Sequence, residues 1–136
     1  MKPHVLVVED SALVVGALRV LLEETGHRVS AAMSVAEAVA AARADRPDVI
    51  LLDITLDRED GLGVLYALAK TGELPRVAVA VTGHDEPAVR ERCLNAGCRA
   101  VLVKPISATQ LPALIKVWLA ESDVASSASV RPRNGA

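Results

Sequence analysis

The sequence predicts an α/β domain: a doubly wound, five-stranded parallel sheet covered on both faces by helices. Three observations point there. Strand-like and helix-like patterns alternate five times along 136 residues, the arrangement of consecutive βα units. The runs Val5-Leu6-Val7-Val8, Val49-Ile50-Leu51-Leu52 and Val77-Ala78-Val79-Ala80-Val81 are apolar throughout, too short for helices, and of the kind a strand buried on both faces requires. Polar residues fall at the ends of four strands, as Glu9-Asp10, Asp53, Thr82 and Lys104. In a doubly wound sheet those ends share one edge, where ligands bind.

The elements follow in order. After the Val5–Val8 strand, Ser11 caps a helix in which Val14, Leu18, Leu21 and Leu22 recur at helical spacing, and Gly26 stops it. His27 to Ala32 reads as a short strand. Ser34-Val35-Ala36-Glu37 has the form of a capping box and opens an Ala-rich helix with Val35, Val39 and Ala42 on one face, ending before Pro47. The central strand ends at Asp53. Leu62, Leu65, Leu68 and Ala69 mark a third helix, closed by Thr71-Gly72. Val77–Val81 leads to Thr82-Gly83, Pro87 suits the first turn of a fourth helix, and Asn95-Ala96-Gly97 ends it. Ala100 to Val103 is the fifth strand. Ser107-Ala108-Thr109-Gln110 has the form of a second capping box, before a stripe of Leu111, Leu114, Ile115, Trp118 and Leu119. From Ser122 the periodicity is lost, and residues 122–136 are expected to be a disordered tail behind a domain of residues 3–121.

Composition narrows the function classes. A net charge of −2 gives no reason to expect nucleic acid or an anionic membrane as partner. No apolar run approaches the roughly 20 residues of a membrane span, and no secretory signal is recognisable, so the expected location is cytoplasmic. Cys93 and Cys98 fit neither a zinc site nor a redox pair and read as reduced packing thiols. His4, His27 and His84 lie in or near loops without ligand spacing and take no role; Trp118 reads as core.

Taken singly, Asp53, Glu9-Asp10, Thr82 and Lys104 have ordinary explanations as caps, turn formers or a solvated lysine. Together they form a chemical set. Two carboxylates about 4 Å apart repel by roughly 4 kcal/mol at an effective dielectric of about 20, so Glu9, Asp10 and Asp53 need a cation or a shared proton. An all-oxygen site of this kind suits Mg²⁺, which leaves positions open for phosphate oxygens. Lys104 supplies a second positive charge and Thr82 a hydroxyl donor, and Asp53 is an anionic nucleophile at pH 7 without a base.

At these residues the chain resembles the CheY-like receiver domain of two-component response regulators, over about residues 3–121. The resemblance rests on Glu9-Asp10, Asp53, Gly61 eight residues later, Thr82 and Lys104-Pro105, each at its own strand end. It implies a flavodoxin-like (βα)5 fold with strand order 2-1-3-4-5 and Asp53 as phospho-acceptor. It also implies Mg²⁺ held by Asp10, Asp53 and the Thr55 backbone carbonyl with Glu9 acting through water, Lys104 on the phosphoryl group, Thr82 as the moving switch, and a cis Lys104-Pro105 bond. The implied function is phosphoryl transfer from a histidine kinase or phosphotransfer protein onto Asp53, switching protein contacts through the face of the fourth helix, fifth strand and fifth helix. No DNA-binding output domain and no turnover enzyme are expected. Two positions depart from the pattern: Val101 stands where the family usually has an aromatic residue, and Asp57 where it commonly has Pro. They keep a second expectation open, a degenerate receiver acting as a phosphorylation-independent interaction module. An aspartyl-phosphate phosphohydrolase is a third, weakened because Thr55 holds the place of those enzymes' acid/base Asp.

Overall fold

The structure, a computed structural model, describes residues 2–130. Its elements are β1 (His4–Val8), α1 (Ala12–Glu24), β2 (Arg28–Ala32), α2 (Val35–Ala44), β3 (Val49–Asp53), β4 (Thr55–Leu56), β5 (Glu59–Asp60), α3 (Gly63–Lys70), β6 (Val77–Thr82), α4 (Pro87–Asn95), β7 (Ala100–Val103) and α5 (Leu111–Val130). The five long strands form one parallel sheet in the order β2-β1-β3-β6-β7, which is 2-1-3-4-5 when the short pair β4–β5 is left uncounted. The order reverses beside β1, and the register pairs Val8 with Leu52 and Leu52 with Ala80, which puts Glu9, Asp53 and Val81 at one level of the edge.

Alternation along each strand divides the core in two. Leu6, Val8, Ile50, Leu52, Ala78 and Ala80 face α2, α3 and α4, whereas Val5, Val7, Val49, Leu51, Val77 and Val79 face α1 and α5. With no Phe in the chain, aliphatic side chains fill both halves, and Trp118 joins the second as a buried residue.

Helix ends follow their caps. The Ser11 hydroxyl accepts from the Val14 amide at 3.4 Å, and Ser34 accepts from the Glu37 amide at 3.1 Å. The return half of that box goes to the Met33 amide, at 2.9 Å, one residue before the Ser34 cap. At Ser107 the hydroxyl accepts from the Gln110 amide, but α5 begins only at Leu111. α4 closes in a Schellman turn: Cys98 N donates to Cys93 O and Gly97 N to Leu94 O, both at 3.1 Å, with Gly97 at φ +110°. That turn brings Cys93 and Cys98 together as free, buried thiols, and burial pushes the Cys98 thiol up to about 12.

Three departures from the sequence reading concern local context. His4 is a buried β1 residue, its ring within 2.6 Å of Ser30 Oγ and 3.3 Å of the Arg46 carbonyl, and His27 is buried against the Leu22 carbonyl at 3.1 Å. A side-chain hydroxyl and a backbone carbonyl at the sheet's edge let a strand take a histidine that looks loop-like in sequence. The helix α5 continues to Val130, through part of the segment expected as a disordered tail, because no Gly or Pro interrupts it before Pro132; residues 131–136 of that segment lie outside the described residues. The hairpin β4–β5 was read only as an acidic stretch. No described helix is long and apolar enough to cross a membrane.

Candidate functional site

The sheet edge brings four of the predicted residues together. Asp53 ends β3 and is 3% exposed, Glu9 follows β1 and is 5% exposed, and Asp10 beside it is partly exposed. One carboxylate oxygen from each lies within 4.8 Å of the others. Lys104, just past β7, reaches both buried acids, with Nζ 3.0 Å from Asp53 Oδ2 and 3.3 Å from Glu9 Oε1. The Lys104-Pro105 bond is cis, as expected.

Each carboxylate is held by a backbone amide. Asp53 Oδ1 accepts from Thr55 N at 2.8 Å and Thr55 Oγ1 at 3.0 Å. Glu9 Oε2 accepts from Ser11 N at 3.1 Å, and Asp10 Oδ2 from Asp57 N at 2.8 Å. Burial works to raise the Asp53 pKa, but the Thr55 amide, the Lys104 ammonium and the Thr55 hydroxyl outweigh it and hold the carboxyl below its ordinary range. Glu9 goes the other way: burial and the Asp53 charge raise its pKa against the opposing Ser11 amide and Lys104. Desolvation by burial works to lower the Lys104 pKa, and the two acids more than compensate, leaving it above the usual lysine value.

The unequal acids predict a pH signature. A carboxyl whose folded pKa is raised binds a proton more tightly in the folded state, so ionising Glu9 costs stability as pH rises past its ordinary value. Glu9→Gln is therefore expected to raise the melting temperature at pH 7 in divalent-free buffer and to have little effect near pH 4, checked by calorimetry at the two pH values. A melting temperature unchanged at pH 7 contradicts this.

Thr82, the fifth predicted residue, is buried at the end of β6, but its hydroxyl is engaged within its own loop, accepting from His84 N at 3.1 Å and donating to His84 O at 3.2 Å. Val101 is buried in the sheet face under α4, where the smaller side chain fills the place expected to hold an aromatic ring.

The sequence reading missed the hairpin that closes the site. β4 and β5 pair antiparallel as Thr55 with Asp60 and Leu56 with Glu59, leaving Asp57-Arg58 as a two-residue turn. Arg58 takes φ +61°, a conformation that Gly or Asn would signal in sequence and Arg does not. The carboxylates of Glu59 and Asp60 are committed away from the site, Glu59 Oε1 to the Val35 amide at 3.0 Å and Asp60 Oδ1 to the Leu62 amide at 3.0 Å. Gly61 has a steric reason: a Cβ there would sit 2.2 Å from the Asp53 carbonyl oxygen and 2.9 Å from Ile54 Cα.

Three carboxylates thus face one ammonium, an all-oxygen set with excess negative charge and one partly open side. That composition fits a hard divalent cation such as Mg²⁺.

Comparison with known proteins agrees with this geometry. The family model for the response regulator receiver domain matches residues 5–116. The polar-differentiation response regulator DivK of Brucella anthropi is 36% identical over 123 residues, covering 90% of this chain and all of that protein. Among solved structures, a CheY-like receiver domain protein from Methanospirillum hungatei superposes with TM-score 0.83 at 26% identity, covering 90% of this chain and 98% of that one. The receiver domain of the sensor histidine kinase PA1611 of Pseudomonas aeruginosa, solved with a magnesium ion coordinated in its active site cleft, superposes with TM-score 0.78 at 27% identity over 88% of this chain and 99% of its own.

Proposed function

The chain belongs to the response regulator receiver domain family, and from that premise we propose that Asp53 is its phospho-acceptor, receiving a phosphoryl group from a histidine kinase or phosphotransfer protein. One observation carries the assignment of residue. Asp53 is the buried carboxylate whose two oxygens are divided, Oδ1 taking both Thr55 bonds and Oδ2 meeting only Lys104. Oδ2 is the nucleophile, anionic at neutral pH as any ordinary aspartate is, and the Thr55 and Lys104 contacts favour the anion further. Its attack on phosphorus forms the acyl phosphate as the bond to the donor breaks, and the donor's leaving group keeps the electron pair. Lys104, already at 3.0 Å, follows the charge onto the phosphoryl oxygens. Thr82 donates a hydrogen bond to the phosphoryl group once its hydroxyl leaves His84.

Glu9, Asp10, Asp53 and the Thr55 carbonyl are the residues that would hold Mg²⁺, whose chemical contribution is to neutralise phosphoryl oxygens. The magnesium reported for the Pseudomonas receiver domain supports this choice.

Two surfaces support the partner assignments. A largely apolar groove of about 560 Å³ runs between α1 and the loop after β7, lined by Val14, Leu18, Leu21, Pro105 and Ile106, and reaches Lys104; it offers a phosphodonor a seat beside Asp53. On the far side, Leu94, Val103 and Val117 are exposed across α4, β7 and α5, a face for a downstream protein.

The test is intact mass after incubation with acetyl phosphate and Mg²⁺. A single phosphoryl addition that needs the metal and disappears in Asp53→Asn is the expected result. No addition to a folded protein would favour the phosphorylation-independent interaction module, the reading that Val101 keeps open; many turnovers of donor would favour a hydrolase.

A further inference from the structure

The acidic hairpin is bonded to several separate parts of the molecule. Its turn residue Asp57 gives its amide to Asp10 Oδ2 at 2.8 Å, on the outer side of the carboxylate cluster. Its first residue, Thr55, holds Asp53 by amide and hydroxyl. Its last residue, Asp60, is bonded in two directions: Oδ1 accepts from the amide of Leu62, the N-cap of α3, at 3.0 Å, and Oδ2 accepts from Arg92 Nη2 on α4 at 2.9 Å. Six consecutive residues therefore run from two site carboxylates to the C-terminal half of α4 without leaving hydrogen-bonded structure.

The other routes from the site to α4 are short. Val101 is β-branched and buried, with a restricted χ1 and no ring to swing. The Thr82 hydroxyl is bonded only to His84, so its movement acts on the loop before α4 and not on the helix body. We infer that the β4–β5 hairpin is the coupling element between the acidic site and α4, with the Asp60–Arg92 ion pair as its joint. This rests on the metal reading given above. A cation at Asp10 and Asp53 changes the charge on the oxygens that hold Asp57 and Thr55, the hairpin shifts or stiffens with them, and Arg92 carries the change into α4. Coupling of this kind is reciprocal, so a protein that engages Arg92 alters cation affinity at the site by the same factor.

The experiment is a Mg²⁺ titration of the full chain followed by amide NMR. In the wild-type protein the amides of Asp10, Asp53 and Asp57 and those of Val89 and Asn95 on α4 are expected to shift with one common affinity. Arg92→Gln breaks the joint, and Asp60→Asn breaks it while keeping the oxygen that caps Leu62. Both are expected to leave the site shifts in place, to reduce the α4 shifts at least about twofold, and to change Mg²⁺ affinity by no more than about fivefold, the range of an exposed ion pair. Arg92→Lys is expected to restore the α4 response. Full-sized α4 shifts in both variants would overturn the coupling. Absence of any wild-type response at Asp10 and Asp53 would instead overturn the metal reading, and the coupling with it.

Discussion

Gly61→Ala is expected to destabilise the protein by about 3 kcal/mol, a fall in melting temperature of roughly 10 °C for a domain of this size. The added methyl meets backbone and not a flexible side chain: the Asp53 carbonyl oxygen at 2.2 Å and Ile54 Cα at 2.9 Å. Neither can yield cheaply. Asp53 is the last residue of the central strand, Ile54 N donates to Val81 O at 3.1 Å, and Gly61 is itself tied to Ile54 O at 3.0 Å and to Val64 N at 3.1 Å. Relief has to come from moving residues 53 and 54 or from opening the β4–β5 hairpin, and either displaces the Asp53 carboxylate. The variant should therefore lose phosphoryl uptake as well as stability, measured by calorimetry and by intact mass with acetyl phosphate. A Gly61→Ala protein with native melting temperature would mean that the hairpin is far softer than its hydrogen bonds indicate.

Lys104→Ala is expected to cost about 2 kcal/mol at pH 7, less than the 3–5 kcal/mol typical of breaking a fully buried pair because the lysine is about one-third exposed and its charge is partly screened. What remains is two buried carboxylates, Asp53 and Glu9, facing each other without a counter-charge. The sign with pH follows. In the wild-type protein Asp53 has a depressed pKa, so its contribution is present above the ordinary carboxylate range and is lost as pH falls through the folded value. Without Lys104, burial and mutual repulsion dominate, both folded pKa values rise, and stability falls as pH climbs. The deficit should be largest at pH 7, small near pH 4, and partly recovered by Mg²⁺. Calorimetry at two pH values, with and without the cation, checks all three; a deficit independent of pH would place the role of Lys104 in packing of its aliphatic stem.

Much of the fold was legible because a buried parallel strand leaves a plain trace. Val5–Val8, Val49–Leu52 and Val77–Val81 can be apolar on both faces only if helices cover both faces, and the strand ends then locate Glu9, Asp53, Thr82 and Lys104. Strand order came from the resemblance carried by those residues, and the register of Val8 with Leu52 and Leu52 with Ala80 accounts for why they meet. The hairpin was not legible. Its turn is Asp57-Arg58, with none of the Asn-Gly chemistry that announces a two-residue turn, and its conformation is imposed by Asp10, Val35, Leu62 and Arg92, partners from four other parts of the chain. His4 was misplaced for a related reason: its acceptability in β1 depends on Ser30 and Arg46, which only folding brings beside it.

By itself, then, the sequence determined the alternation of elements, the two-sided burial of the sheet and the identity of the acidic set, since these follow from hydrophobic period and from which residue types end each strand. The tertiary structure alone decided which oxygen of Asp53 faces Thr55 and which faces Lys104, that Glu9 and Asp53 are pushed in opposite directions, and that Glu59 and Asp60 serve as caps and a tie to α4. Those outcomes depend on distances of about 3 Å between residues far apart in the chain, where a hydrogen bond or an ion pair is present or absent and no local pattern records the difference.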